Sequence, residues 1–232
     1  MLTTRRMAMR YRNLSLLFAG LALACFVFAS VGSWASELLL YGGAFLALPS
    51  CVYFLRRSGS WSAGAKGEEE VARALESLRG CHVLHDIMLP GGWGNIDHFV
   101  AASNGVFVIE TKNYTGAIRC TGGLWEVRRH KGRGRPYIKM RGNPSAQARR
   151  NAAMLSRHIS ARTDLDLYVN AIVCFPNPQC ELKVYSTTIP VVRLDGLRNA
   201  ILGHSSTRTL SNEDAIRIRN ELRKYASSAA GS

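Results

Sequence analysis

Two stretches near the N-terminus carry no charged side chain, Leu14 to Trp34 and Leu38 to Leu55. At 1.5 Å per residue, about 20 apolar residues cross a hydrocarbon core of roughly 30 Å, so each stretch is long enough to span a bilayer. Gly42, Gly43 and Pro49 weaken the second stretch as a soluble helix but are tolerated in a membrane one. Only Ala35, Ser36 and Glu37 separate the two, which forces an antiparallel helical hairpin. Arg5, Arg6, Arg10 and Arg12 precede the first stretch, and Arg56 and Arg57 follow the second. Positive flanks stay cytoplasmic, so the pattern predicts a two-span membrane protein with both termini and the soluble part in the cytoplasm. Two blander readings compete. One is a cleaved signal peptide ending at Ser33-Trp34-Ala35, and the other is a pair of soluble core helices.

Beyond the apolar region the pattern changes. Residues 58–65 are rich in Ser and Gly and read as a linker. Val71, Ala74, Leu75 and Leu78 recur on one helical face, Glu68, Glu69 and Glu70 occupy the first turn, and Gly80 stops the helix. Strand patterns follow over residues 82–89, 95–102 and 106–112, the last two joined by Ser103-Asn104-Gly105. Residues 117–127 read as further β structure with a Gly122-Gly123 turn. A helix is expected over 144–162, a strand over 168–175, a short strand at Val191-Val192, and helices over 194–202 and 212–225. This order implies an α/β domain, a mixed β-sheet flanked by helices. The expected organisation is a basic N-terminal tail (1–13), the two-helix transmembrane hairpin (14–57), a linker (58–65), the α/β domain (66–205) and a C-terminal helix and tail (206–232).

Composition sharpens this. The chain has 232 residues and a formal net charge of +14. Apolar and charged fractions are those of a globular chain, which excludes collagen, a coiled-coil rod and full disorder. The positive excess calls for an anionic neighbour, nucleic acid or an anionic membrane face. Cys25 and Cys51 lie in the apolar stretches, while Cys81, Cys120, Cys174 and Cys180 are scattered with neither CxxC pairs nor zinc spacing. They read as reduced thiols.

Candidate chemistry concentrates in Asn95-Ile96-Asp97-His98 and Val108-Ile109-Glu110-Thr111-Lys112. A hairpin turn at Asn104-Gly105 would set Asp97 opposite Lys112; a turn at Ser103-Asn104 would set it opposite Glu110. In either register Asp97, Glu110 and Lys112 share one sheet face with Phe99, Ala101, Val106 and Val108. Ile96, His98, Val100, Phe107, Ile109 and Thr111 take the other. Two carboxylates and an ammonium at the end of a buried hairpin must be paired or bound to a metal. Oxygen ligands suit Mg²⁺ or Mn²⁺, and such an ion polarises a phosphoryl oxygen and acidifies water. A buried ion pair with no chemistry remains the alternative.

These segments resemble the NERD (nuclease-related) domain of the PD-(D/E)XK nuclease superfamily. The resemblance runs over most of residues 64–202. It is carried by Gly64-Ala65-Lys66-Gly67-Glu68, Ile96-Asp97-His98, Gly105 through Gly116, Asn143-Pro144 with Gln147, Ile172 through Phe175, and the stretch from Val191 to Leu202. It implies a restriction-endonuclease-like fold and divalent-metal-dependent phosphodiester hydrolysis. By the same resemblance Asp97 and Glu110 match the acidic metal ligands and Lys112 the motif lysine. Glu68 matches an assisting acid, Gln147 a supporting glutamine, and Thr111 offers a backbone carbonyl to the metal.

Half of residues 128–141 are Lys or Arg, namely Arg128, Arg129, Lys131, Arg133, Arg135, Lys139 and Arg141. Such an arm suits a phosphate backbone, with Arg149, Arg150 and Arg157 extending it; anionic lipid or plain solvent are the alternatives. No base-reading motif is visible, so sequence-independent binding is expected. His82, His85 and His98 read as core or surface residues rather than ligands. Neither GxxxxGK[ST] nor Gly-x-Ser-x-Gly occurs, so ATP and a serine elbow are not implied. Two functions remain open. The first is a membrane-anchored, Mg²⁺-dependent nuclease bound to the bilayer through residues 14–55. The second is an inactive nucleic-acid-binding or membrane-docking module on the same fold.

Overall fold

The computed structural model describes residues 3–29, 34–92, 94–128, 136–140, 142–206 and 209–227, with backbone alone for residues 29 and 34–39. The chain divides into two compact units, Met1–Ala65 and Lys66–Ser232.

In the first unit, helix α1 (Thr3–Ala29) lies antiparallel to the leading half of helix α2 (Trp34–Glu76). Ser58 Oγ donates to the Ala8 carbonyl at 2.9 Å and Ser15 Oγ to the Cys51 carbonyl at 3.2 Å. The Phe18 and Phe54 rings stack at 5.3 Å, and Phe26 meets Tyr41 edge-on. Among the described residues one helix, Thr3–Phe28 with a mean hydropathy of 1.6, is long and apolar enough to cross a membrane. The second apolar stretch forms no helix of its own. It opens α2, which runs 43 residues with Pro49 inside it and carries on past Arg56 and Arg57 to Glu76. The linker expected over 58–65 is therefore helical. Ser and Gly cost at most about 1 kcal/mol each in a helix, and a segment with helix already formed on both sides pays no nucleation cost.

The second unit holds two sheets where one was expected. Strands β1 (His82–Ile87), β2 (Ile96–Ala102) and β3 (Gly105–Thr111) pair antiparallel, and β3 then runs parallel to a strand at Val169–Phe175, itself parallel to one at Val191–Arg193. The smaller sheet takes β4 (Gly116–Thr121), β5 (Leu124–Arg128), β6 (Ile138–Lys139) and β8 (Cys180–Ser186), so the two parallel strands of the main sheet are β7 and β9. Gly116, at φ +89°, turns the chain out of β3. β4 then pairs with β8, parallel, and not with the main sheet. Strand β8 was not foreseen because Glu181 and Lys183 break its apolar pattern and most of it is exposed.

Helix α3 (Pro144–Thr163) is capped by Asn143, whose side chain accepts from the Ala146 amide. It packs with α5 (Asn212–Arg223) on one face of the main sheet, over a core that includes Phe99, Val108, Leu155, Ile159, Val173 and Ile218. The last turns of α2 and helix α4 (Leu194–Leu202) cover the other face, over Val71, Leu75, Val100, Phe107, Ile109 and Leu197. Both faces of β2 and β3 are buried, as two-sided helix cover requires. The β2–β3 turn falls at Ser103-Asn104, since Ala102 pairs with Gly105 and His98 with Ile109. Of the two registers this is the one that aligns Asp97 with Glu110. Ile96, expected opposite Phe99, joins the Phe99 side of the core together with its partner Ile87, where Asp86 at φ +52° interrupts the regular strand.

Candidate active site

Four elements converge at the C-terminal end of β3. Strand β2 supplies Asp97, β3 supplies Glu110 and Thr111, and Lys112 follows directly, its amide still bonded to the Cys174 carbonyl of β7 at 2.9 Å. Helix α2 brings Glu68, and α3 brings Gln147 and Asn151. Asp97 and Glu110 are buried, as is Glu68.

Lys112 Nζ reaches Glu110 Oε1 at 2.6 Å and Gln147 Oε1 at 3.3 Å. Asn151 Nδ2 lies 3.4 Å from Glu110 Oε2, so both carboxylate oxygens are engaged. The backbone N–H of Thr111 donates to Asp97 Oδ2 at 2.8 Å. Burial pushes the Asp97 carboxyl well above its ordinary range, and the charges of Glu110 and Glu68 push it the same way. Burial also raises Glu110, against the pull of Lys112. Burial works against the Lys112 ammonium, but Glu110 outweighs it and holds the group charged beyond its usual range.

Gly67 explains how Glu68 gets so close. A Cβ at position 67 would stand 2.5 Å from Asn113 Cβ. Only glycine lets the helix backbone touch the segment that follows Lys112, which sets the neighbouring carboxylate beside Asp97.

The three buried carboxylates Glu68, Asp97 and Glu110 act unfavourably on one another, and an oxygen-ligated divalent cation relieves such repulsion. Among the described residues no group of three or more His, Cys, Asp or Glu side chains is gathered as a metal shell. The donors on offer are Asp97 and Glu110, with the Thr111 backbone carbonyl as a further oxygen. Oxygen donors alone fit Mg²⁺ or Mn²⁺ chemistry and not zinc.

Behind the site runs a chain of hydrogen bonds that the sequence did not announce. Glu76 Oε1 lies 3.3 Å from His85 Nε2. His85 Nδ1 lies 2.8 Å from His98 Nδ1, and His98 Nε2 lies 3.1 Å from Thr111 Oγ1. Since the Glu76 carboxylate only accepts, the network assigns donation from Glu76's end inward as His85 Nε2–H, His98 Nδ1–H and the Thr111 hydroxyl. Burial lowers the pKa of both rings, that of His98 much further. The two histidines are joined to the strand that carries the acids. A signal existed: His98 and Thr111 share a face in either hairpin register. Asn151 was likewise readable as the i+4 neighbour of Gln147 on one helix face.

Of the expected nucleic-acid contacts, Arg128 and Lys139 lie on β5 and β6 of the smaller sheet, with Arg128 opposite Ala117. The Arg128 guanidinium sits over the Tyr137 ring at 5.0 Å, sharing it with Arg119. Arg129, Lys131, Arg133, Arg135 and Arg141 fall outside the described residues.

Residues 63–176 match the model of the nuclease-related domain, NERD. All of Glu68, Asp97, Glu110, Thr111, Lys112 and Gln147 lie within the match, and the chain carries a nuclease-related domain consistent with the PD-(D/E)XK nucleases. An uncharacterized protein of Bacillus anthracis is 45% identical over 60 residues, which covers 24% of this chain and 28% of that protein. No solved structure matches.

Proposed function

We propose that this protein is a membrane-anchored nuclease that hydrolyses phosphodiester bonds of DNA or RNA on the cytoplasmic side with Mg²⁺ or Mn²⁺. The observation that carries the reading is the convergence of Asp97, Glu110 and Lys112, with Lys112 held by Glu110 and Gln147. When bound, the divalent cation supplies Lewis acidity toward a phosphoryl oxygen and makes water a better nucleophile. Asp97, Glu110 and the Thr111 carbonyl would hold it. The Lys112 ammonium faces the charge that builds on the phosphoryl oxygens, and Gln147 fixes its direction. Glu68, whose charge acts on Asp97, is the assisting acid of the site. The full chain, purified in detergent, should cut labelled DNA or RNA in Mg²⁺ or Mn²⁺ and lose this activity in EDTA. Binding without cutting in every metal would instead establish the inactive binding module.

The anchor reading rests on the first unit. Leu16, Leu17, Phe26 and Phe28 of α1 and Phe45, Leu46 and Tyr53 of α2 are exposed, more apolar surface than a soluble monomer leaves in water. Both apolar stretches span the bilayer in this proposal, and the basic flanks keep the nuclease-related domain cytoplasmic. The protein is expected to stay in the membrane pellet after alkaline carbonate extraction. A protease should reach the domain in inverted vesicles but not in right-side-out ones. Release by carbonate would remove the anchor.

A further inference from the structure

Strand β1 ends the main sheet on one side, and the chain returns after α5 to lie along its last residues. The Met88 N–H donates to the Tyr225 carbonyl at 3.0 Å, Ala226 stands in an antiparallel bridge with Ile87, and the Ser227 N–H donates to the Asp86 carbonyl at 3.1 Å. We propose that residues 225–227 are a clasp that positions the candidate active site, and that Asp86 is the residue through which it acts. The catalytic consequence rests on the nuclease reading, to which this adds a positioning residue outside the acid motif.

Backbone conformation brings Asp86 to this role. His85 pairs with His98 and Ile87 with Ile96, so the register sets Asp86 across from Asp97. In a regular strand two residues so placed share a face, and a further carboxylate would join the acid cluster. Asp86 instead takes φ +52°, a left-handed conformation in which Asp and Asn are enriched. Its buried carboxylate meets two donors: Oδ1 accepts from Asn95 Nδ2 at 2.8 Å, and Oδ2 accepts from Ser227 Oγ. A carboxylate taken out of water is kept in place by such bonds.

From Asn95 two paths lead to the acids. Along the chain, Asn95 stands two residues before Asp97. Through space, its carbonyl accepts from Asn151 Nδ2, which also donates to Glu110 Oε2, each at 3.4 Å. Both bonds are long, so a small displacement of Asn95 is enough to lose one of them. Ser227, Asp86, Asn95 and Asn151 thus form a line of hydrogen-bonded groups that ends on Glu110. The clasp also reaches α3, the helix that carries Asn151 and Gln147. The Tyr225 ring meets His158 edge-on at 5.1 Å, and His158 Nε2 lies 3.2 Å from Glu221 Oε1 of α5.

The test uses the full chain in detergent with Asp86→Gly, Asp86→Asn and Ser227→Ala, each assayed below its own melting transition. Glycine keeps the left-handed backbone and removes both side-chain bonds. Asparagine also accepts that backbone and keeps both bonds, its oxygen accepting from Asn95 and its amide donating to the Ser227 hydroxyl. For Asp86→Gly we expect kcat to fall about 10–100-fold with KM within about twofold of the parent. The Mg²⁺ concentration that half-saturates thermal stabilisation should rise about tenfold. Asp86→Asn should recover most of both losses, and Ser227→Ala should show a smaller loss of the same kind.

A lower melting temperature in Asp86→Gly with parental kcat and Mg²⁺ midpoint would make Asp86 merely structural and overturn the proposal. Equal losses in the Asn and Gly variants would overturn it too, as would parental values in Ser227→Ala, the variant that decides if Asp86→Gly does not fold. Amide exchange in the metal-free proteins reads the clasp without cleavage. Exchange over residues 95–98 and 110–112 should quicken about tenfold in Asp86→Gly and less in Ser227→Ala, while α4 keeps the parental rate. Unchanged exchange in both variants would overturn the clasp. A parent protein that neither cuts nucleic acid nor gains stability from Mg²⁺ would overturn the nuclease reading instead, and exchange would still decide the clasp.

Discussion

Asp97→Asn is expected to cut cleavage by about 10²–10⁴-fold and at the same time to raise the melting temperature of the metal-free protein at pH 7. The two effects have one cause. Asp97 is held among Glu68, Glu110 and buried apolar surface, and its carboxyl is pushed well above the ordinary 3.8. A carboxylate with a raised folded pKa binds its proton more tightly in the native state. Its contribution favours folding at acid pH and is lost as pH rises from about 4 through the folded value. At pH 7 the metal-free fold is therefore penalised relative to the unfolded chain, where the carboxyl ionises freely. Asn removes the titrating group while its amide oxygen still accepts from the Thr111 N–H, which Asp97 now does at 2.8 Å. A gain of about 0.5–2 kcal/mol is the usual scale when a functional site is relieved in this way. For a chain of this size each kcal/mol moves the transition by about 2–4 °C. Mg²⁺ should stabilise the unaltered protein and have a much weaker effect on the variant. Lys112→Ala is the counterpart: it should lower activity by about 10²–10³-fold without any gain in stability, because Glu110 then loses its ion pair. Thermal unfolding with and without Mg²⁺, beside the cleavage assay, reads all of these quantities. An Asp97→Asn protein that melts lower than the parent at pH 7 would refute the account of the carboxylate cluster.

The acid pair was legible in the sequence because strand alternation is strict. Parity alone put Asp97, Glu110 and Lys112 on one face, and only the turn residue that sets the register stayed open. The helices of the second unit were legible for the same reason, since Val71, Leu75, Leu155 and Ile159 mark buried faces by their spacing. What stayed hidden depends on chain direction between elements. No local pattern says that Gly116 diverts β4 into a second sheet, or that β8 will pair with it across sixty residues. The helix through residues 58–65 was hidden by composition: Ser and Gly advertise a linker, yet helix on both sides carries through them. Gly67 was visible as a motif residue, but its purpose is a backbone approach to Asn113 that belongs to tertiary packing. The bond between the two histidines needed the β1–β2 register, which pairs His85 with His98.

That histidine pair carries the second large effect. His98→Ala should cost about 3–5 kcal/mol of stability, the scale for emptying a buried site and stranding its partners. His98 is fully buried, and its loss leaves His85 Nδ1 and the Thr111 hydroxyl without the bonds at 2.8 and 3.1 Å. The pH dependence separates this from simple loss of packing. Burial lowers the pKa of His98 far below 6.5, and that of His85 also falls, although Glu76 pulls it up. Both rings take up a proton less readily in the folded chain than in the unfolded one, which takes up protons below about pH 6.5. Stability is thus complete above that value and is lost as pH falls, the opposite sign to Asp97. Denaturant unfolding at a series of pH values should show the acid loss between pH 6.5 and 5 in the parent and a shallower loss in His98→Ala. Thr111→Val supplies the second arm. It removes the hydroxyl and leaves His98 Nε2 unpaired, at about 1–3 kcal/mol. Because the two residues share one bond, the double variant should lose less than the two single losses together, by about 0.5 kcal/mol or more. Additive losses, or an acid slope unchanged in His98→Ala, would separate the histidines from the strand that bears the acids. A coupled loss would show that the rigidity of the Thr111 peptide, and with it the N–H that holds Asp97, is set from the opposite face of the sheet.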